Sequence, residues 1–354
     1  MKIFVTALGV LLLLPSIARA QGNYRSTPNG GRSALMGNTG EALGRDGASP
    51  FMNPATIVRI HDTSFAFSMN FYSLTSTKIS AYHQPGAVDT SRFPGVSAQG
   101  TSVTDNQVNV IPTTICLFIH VAGLSGDDPE EGPADTETRV GRQKMALCLG
   151  NVERREVILP SLNYRTGAAG GSSEQAGSLT SKWLRWRFGP SYAGYITKEL
   201  TIGISLHGVY SYYGYHNDTT TVTTGAMGGI LSSVGVSGAG NSVDLAGIIG
   251  LTYKLKNRYT FGASFEPPSI HVAGGFDGNL HEAYGGAAIN NSYLTTGTGN
   301  FFAPSPARVS GGIGVKVLSN FKVEVDGSYY FPMSAALHSS MHGDTVTIAG
   351  ANAV

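Results

Sequence analysis

From Lys182 onward the chain alternates apolar and polar residues with a period of two. In residues 182–197, Leu184, Trp186, Phe188, Tyr192 and Ile196 share one parity, and Arg185, Arg187, Ser191 and Thr197 share the other. Such alternation puts the apolar set on one face of a strand and the polar set on the opposite face. Next, Ile202, Ile204, Leu206, Tyr210 and Tyr212 oppose Thr201, Ser205, His207 and Ser211. Only Lys198, Glu199 and Leu200 separate the two runs, which predicts a tight hairpin. Residues 242–255 and 258–266 repeat the pattern around a turn at Lys256 and Asn257, and residues 308–317 and 321–331 around Ser319 and Asn320.

The connections fall into two classes. Turns within a pair take two or three residues, whereas 216–241, 267–307 and the tail after Pro332 are rich in Gly, Ser, Thr and Asn and are expected as long loops. Short turns on one side and long loops on the other characterise outer-membrane barrels. In the first half, 64–72, 107–121 and 144–152 also read as strands. That makes about nine strands, several of ten residues or more, the length that a tilted membrane strand needs. A secreted β-sandwich is the competitor, but its strands are usually shorter, about 5–6 residues.

Composition strengthens the membrane reading. Charged residues are 13% of the chain, and there are 47 glycines and 16 tyrosines; soluble proteins average about 25% charged. The N-terminus has Lys2, an apolar run from Phe4 to Leu14, and a small-x-small site at Ala18-Arg19-Ala20. Residues 1–20 read as a secretory signal peptide, cleaved between Ala20 and Gln21. No other run is long and apolar enough for a membrane helix. The formal net charge of +1 makes no electrostatic case for nucleic acid. Cys116 and Cys148 are too few for a disulfide scaffold; one bridge between neighbouring strands and two free thiols both stay open.

A family resemblance follows from three stretches. "GRSALMGNTGEALGRDGASPFMNPATIVRIHDTSFAFSMNFYSL" has spaced glycines, then Asn53-Pro54-Ala55 just before the first strand. "VDLAGIIGLTYKLKNRYTFGASFEP" and "PARVSGGIGVKVLSNFKVEVDGSYYF" look like consecutive hairpins. The chain resembles the FadL/OmpP1/TodX family of outer-membrane transporters for hydrophobic compounds, from about Gly31 to Phe331 with gaps. The resemblance implies an all-β fold: a transmembrane antiparallel β-barrel of fourteen strands with an N-terminal hatch plug. By this reading residues 21–62 are the hatch and 63–354 the barrel. It implies passive transport of hydrophobic compounds such as long-chain fatty acids across the outer membrane of a Gram-negative bacterium, with capture at extracellular loops and no enzymatic activity. Phe51, Met52, Asn53, Pro54, Ala55 and Ile57 are the hatch and substrate-contact candidates. By the same resemblance cargo passes the hatch or leaves sideways through a gap at a kinked third strand, for which Gly150 and Asn151 are the candidate kink. Nine strands ending in Val354 rather than a terminal aromatic depart from the pattern and predict a C-terminally incomplete sequence. Expected partners are hydrophobic small molecules, outer-membrane lipid and the barrel-assembly machinery, with the protein itself a monomer.

Other chemistry is sparse. Arg185, Arg187 and Arg258 share the polar parity and are candidate lumen charges for a carboxylate. The acidic cluster Asp127, Asp128, Glu130, Glu131, Asp135 and Glu137 lacks the ordered ligand spacing of an EF-hand. The histidines show no metal-site spacing beyond His338 and His342, and no cofactor or metal is expected. Ser205 and His207 share a parity, the only hint of a barrel hydrolase. A non-specific porin or structural outer-membrane barrel is the other alternative.

Overall fold

The computed structural model describes residues 29–60, 63–82, 101–122, 143–168, 171–225, 228–256, 258–286, 289–318, 321–333 and 338–349. The fold is all-β, and among the described residues twelve strands form one antiparallel sheet. They are β1 (Ser64–Tyr82), β2 (Thr101–Ala122), β3 (Gln143–Ala168), β4 (Gly171–Tyr195), β5 (Leu200–Gly225), β6 (Gly228–Leu255), β7 (Tyr259–Glu266), β8 (Ile270–Gly286), β9 (Ile289–Phe302), β10 (Arg308–Lys316), β11 (Lys322–Tyr330) and β12 (His338–Ala349).

Three passes of the chain are interrupted. β7 and β8 are separated at Pro267 and Pro268, β9 and β10 at Pro304 and Pro306, and β11 ends just before Pro332, ahead of β12. Proline has no N–H to give to a ladder, so the breaks fall at these prolines. The twelve strands therefore make nine passes, paired in chain order, with β6 flanked by β7 below and β8 above. Nine agrees with the number of strands expected from the alternation.

Their length does not agree. Residues 216–241, expected as a loop, continue β5 and β6 up to the pair Gly225↔Gly228. Residues 267–307 are mostly β8 and β9, and the tail after Pro332 contains β12. The physical reason is that a ladder is held by backbone hydrogen bonds, whereas the two-residue period appears only where the two faces meet different surroundings. In the extensions apolar side chains such as Val222, Ile230, Phe276 and Phe301 are scattered among polar ones on both faces, so the strands persist without a sustained period.

Lower down, the two faces differ sharply. On β5, Ile204 and Leu206 are 53% and 50% exposed, while Ser205 and His207 are 1% and 0% exposed. β4, β6, β7 and β10 follow suit: Phe188, Leu251, Phe265 and Ile313 point out, and Arg187, Thr252, Ser264 and Ser310 point in. The wall is thus apolar outside and polar inside, the reverse of a water-soluble protein.

The inner face encloses the N-terminal segment: α1 (Gly31–Leu35), then two 3-10 turns, Ser49–Phe51 and Pro54–Arg59. Gly31 lies against Ser68 of β1, and the backbone of 40–43 is hydrogen-bonded to β11. One short segment touches the first and last passes of the wall, which requires the sheet to be rolled around it. Among the described residues, β1 and β11 are not bonded to each other. The apolar core is small and lies between Phe51, Ile57, Val58 and Ile60 of the segment and Phe118, Ala146 and Val152 of the wall. Cys116 and Cys148 face each other directly in the β2–β3 register and form a disulfide, which settles the pairing that the spacing alone left open.

Candidate functional site

The segment holding "SPFMNPATI" is fastened mainly through its backbone. Pro50 and Pro54 lie in the first turns of the two 3-10 helices, where a missing N–H costs nothing. Asn53 caps the second: its Oδ1 accepts from Ala55 N at 3.1 Å. Its Nδ2 donates to Glu41 O at 2.7 Å and to Leu251 O of β6 at 3.0 Å, joining two parts of the segment to the wall. Ser205 of β5 donates to Pro50 O at 2.8 Å, and Lys144 of β3 donates to Ile60 O. Arg59 donates to Ala42 O and, at 3.1 Å, to Thr252 Oγ1 of β6. Burial pushes the Arg59 guanidinium below its ordinary value, with Tyr195 opposing that shift and Arg45 adding to it. All six residues singled out in the sequence (Phe51, Met52, Asn53, Pro54, Ala55 and Ile57) are buried together here.

Glycines on the inner face make room for this contact. A Cβ on Gly203 would come within 2.5 Å of Pro54 and Ala55 backbone atoms. On Gly250 it would strike Asn53 Oδ1, on Gly262 the Glu41 carbonyl, and on Gly314 the Leu43 side chain. The abundance of glycine in the strands is thus partly the footprint of the segment on the wall.

Two acids of β11 hold the other end. Asp326 Oδ2 accepts from the N–H of Gly40 at 2.7 Å and of Glu41 at 3.0 Å. Glu324 Oε1 accepts from the N–H of Ala42 at 2.7 Å and of Leu43 at 2.9 Å.

Two of the three candidate lumen cations, Arg185 and Arg187, are engaged by carboxylates. Arg187 meets Glu266 at 2.5 Å; Arg308 reaches the same Glu266 at 3.3 Å and Glu41 at 3.7 Å. Ser264 donates to Glu41 Oε2 at 2.9 Å. Arg185 meets Glu153 at 3.4 Å and donates to Ala303 O at 3.0 Å and Ser211 Oγ at 3.1 Å. Arg258 does not join them. It is exposed in the turn before β7, its guanidinium 5.8 Å from the Tyr259 ring centroid; parity misleads there because the strand starts one residue later. Sequence reasoning did not pick out Glu41, Glu266 and Arg308 as site residues. Glu266 and Arg308 carry the inward parity, but Glu41 sits in a segment without any period.

Gly150 and Asn151 lie where two strands part. β2 and β3 pair from Ala122↔Gln143 up to Thr114↔Gly150. Among the described residues they are not paired above that point, although β2 continues on β1 to Tyr82↔Thr101 and β3 continues on β4 to Ala168↔Gly171. The β3–β4 register shifts between Asn151 and Glu153, a bulge of the kind that bends a strand. A Cβ on Gly150 would lie 2.7 Å from the Phe51 ring, so this glycine also serves close packing. The Phe51 ring stacks on His207 of β5, with centroids 5.1 Å apart. At the foot of the parting Cys116 Sγ lies 3.6 Å from the Gly47 carbonyl.

Above the segment the inner wall turns aromatic. Tyr213 stacks on Phe301, and Phe301 on Phe276, each with centroids 6.4 Å apart; Trp183 adjoins Tyr213 at 6.4 Å and Arg185 at 5.0 Å. Phe276 and Phe301 fall in the stretch expected as a loop and carry no periodic signal. Ser205, the hydrolase candidate, is bonded to Pro50 and lies 2.7 Å from Ser191 Oγ. No group of three His, Cys, Asp or Glu among the described residues is arranged to hold a metal. Ala20, Gln21 and the acidic cluster 127–137 lie outside the described residues, as do the side chains of His338 and His342.

No family model matches the chain, and no curated protein matches it. Among solved structures it is similar to the Ralstonia pickettii toluene transporter TbuX at 14% identity, TM-score 0.31, over 92% of this chain and 98% of that one. It is similar to the CymD monoaromatic hydrocarbon channel at 10% identity, TM-score 0.27, over 90% and 96%. The Pseudomonas putida toluene transporter TodX gives 10%, 0.27, and 92% and 98%. Likeness at this level leaves the functional reading to the chain's own geometry.

Proposed function

We propose that the chain is an outer-membrane conduit that passes neutral hydrophobic small molecules, with residues 21–62 as its hatch and 63–354 as its wall. The observation that carries this reading is the inverted wall rolled around a buried segment. The apolar outward run on β5, from Ile202 to Tyr210, is about 27 Å of strand at ~3.3 Å per residue, or about 20 Å of height at a tilt of ~40°, near the ~25 Å apolar band of a membrane barrel.

In this mechanism cargo enters between the extended hairpins and meets the Trp183–Tyr213–Phe301–Phe276 rings first. Below them the inner wall is charged and the segment closes the way. An apolar molecule forced through that wet region gives up about 25 cal/mol per Å² of its apolar surface, whereas a sideways step into lipid gives up none. The parting of β2 from β3 above Thr114 and Gly150 is the exit this favours. Phe51, against Gly150, and Gly47, against Thr114, are hatch residues that border it. Each strand at the parting stays paired on its far side, so only one edge of each meets lipid.

Neutral cargo is favoured over long-chain fatty acids because Arg185, Arg187 and Arg308 each face a glutamate. A carboxylate entering the lumen would have to displace one of them. A hydrolase is disfavoured by the engagement of Ser205 with the Pro50 carbonyl. The test is uptake of toluene, decane and oleate into proteoliposomes holding the full chain. Uptake of the two hydrocarbons ahead of oleate is expected; preferential uptake of oleate would overturn the neutral-cargo reading, and no uptake of any would overturn the conduit.

A further inference from the structure

On the outward face of the wall the apolar rows end abruptly. Along β5 the outward residues Ile202, Ile204, Leu206 and Tyr210 are followed by Tyr212, Gly214 and His216, with no register shift against β6. On β6, Leu245 and Val243 are followed by Asn241, Ala239 and Ser237. At this border one row of cross-strand neighbours runs Lys182, Gly214, Ala239, Asp277 and Thr298, across β4, β5, β6, β8 and β9. This row lines a cavity of about 750 Å³, with Tyr212 and Asn279 also in its lining. That is a volume in the usual range of small-ligand sites, about 300–1,000 Å³.

The chemistry of the cavity is specific in kind. Gly214 and Ala239 form a low floor across the middle strands. Lys182 lies on the β4 side of this floor and Asp277 and Thr298 on the β8–β9 side, and the Tyr212 hydroxyl reaches over Gly214, 2.9 Å from where a Cβ would stand. In the next row up, Ser237 donates to Asn279 Oδ1 at 2.8 Å, and His216 pairs with Asp218 at 2.6 Å, so these side chains are already oriented. One cation and one anion across a neutral floor do not select a bare anion. Carboxylate, amide and hydroxyl groups together suit a polyhydroxyl ligand, which donates and accepts at every position. An aromatic ring at the edge suits the C–H faces of a sugar.

We infer that this groove seats the sugar headgroup of an outer-leaflet glycolipid, whose acyl chains lie on the apolar rows beneath it. The occupant follows from position. The groove opens on the lipid-facing side, and from Tyr210 to Gly214 is about 13 Å of strand at ~3.3 Å per residue, so the groove sits at headgroup height. The inference rests on the outward apolar band being in the membrane.

The full chain would be inserted into phospholipid vesicles with and without a lipopolysaccharide of lipid A plus inner-core sugars, extracted gently, and weighed by native mass spectrometry. Retention of the lipopolysaccharide over phospholipid is expected, with at least a tenfold loss in Tyr212→Ala, Asp277→Ala and the groove-filling Ala239→Trp. Ile313→Ala, in the apolar band of β10, is the control and should retain it fully. The free core oligosaccharide should compete, which separates recognition of the headgroup from adhesion of acyl chains. A protein that inserts but retains both lipids alike, or whose three variants retain lipopolysaccharide like the parent, overturns the groove and leaves the conduit standing. Failure to insert overturns both.

Discussion

Asn53→Ala removes the residue that ties the segment to itself and to the wall. Three hydrogen bonds go: the cap on Ala55 N and the two donations to Glu41 O and Leu251 O. Loss of a cap costs ~1 kcal/mol, and loss of each hydrogen bond to a carbonyl costs about 1–1.5 kcal/mol. Taking the low end for each gives about 3 kcal/mol for release of the segment, or roughly a 100-fold larger open population. Arg59 is buried in the closed state, so tryptic cleavage at Arg59 in the folded protein reports the open population when reclosing is fast. Cleavage should rise about 100-fold in Asn53→Ala. Asn53→Asp keeps the cap acceptor but turns both donations into a carboxylate facing carbonyl oxygens, so it should be cleaved at least as fast as the alanine variant. Cleavage of Asn53→Ala at the parent's rate, with β content intact by circular dichroism, would refute the claim that this side chain fastens the segment.

The other predictions concern the same contacts. Glu324→Ala with Asp326→Ala removes the acceptors of four backbone N–H groups. At about 1 kcal/mol per bond for a partly exposed site, hydrogen exchange at residues 40–43 should speed up by two orders of magnitude or more; unchanged exchange would show that the acids hold nothing. Gly262→Ala drives a methyl into the Glu41 carbonyl, and such overpacking costs about 1–3 kcal/mol; a lowered melting temperature in detergent is expected, and one equal to the parent's would contradict the close approach. Cys116→Ser with Cys148→Ser opens a link across 32 residues of sequence and should lower stability by about 3–4 kcal/mol, read as a lower denaturant midpoint, whereas an unchanged midpoint would mean that the link does not hold β2 to β3.

The wall was legible where its two faces meet different surroundings. Leu184, Phe188 and Ile204 against Arg187, Ser205 and His207 carry a period that two-sided exposure imposes. Above that band neither face is consistently apolar, so residues 216–241 read as a loop although residues 216–225 and 228–241 are paired in one ladder. The segment at Phe51–Ile57 was legible as broken and apolar, from Pro50, Pro54 and the Asn53 cap. Its partners were not: Glu41, Glu266 and Arg308 meet only once the sheet is rolled, across more than two hundred residues. Arg258 shows the limit of parity, since the polar face begins with the strand and not with the turn before it.

In the proposed conduit the wall admits hydrophobic molecules while the segment inside it keeps water and ions out. Recording ion conductance and toluene uptake on the same proteoliposomes, for the full chain and for Asn53→Ala, tests this most directly. Toluene uptake with negligible conductance is expected for the full chain, and conductance that appears when the segment is loosened. Steady, porin-like conductance through the full chain, unchanged in Asn53→Ala and without toluene uptake, would contradict the conduit.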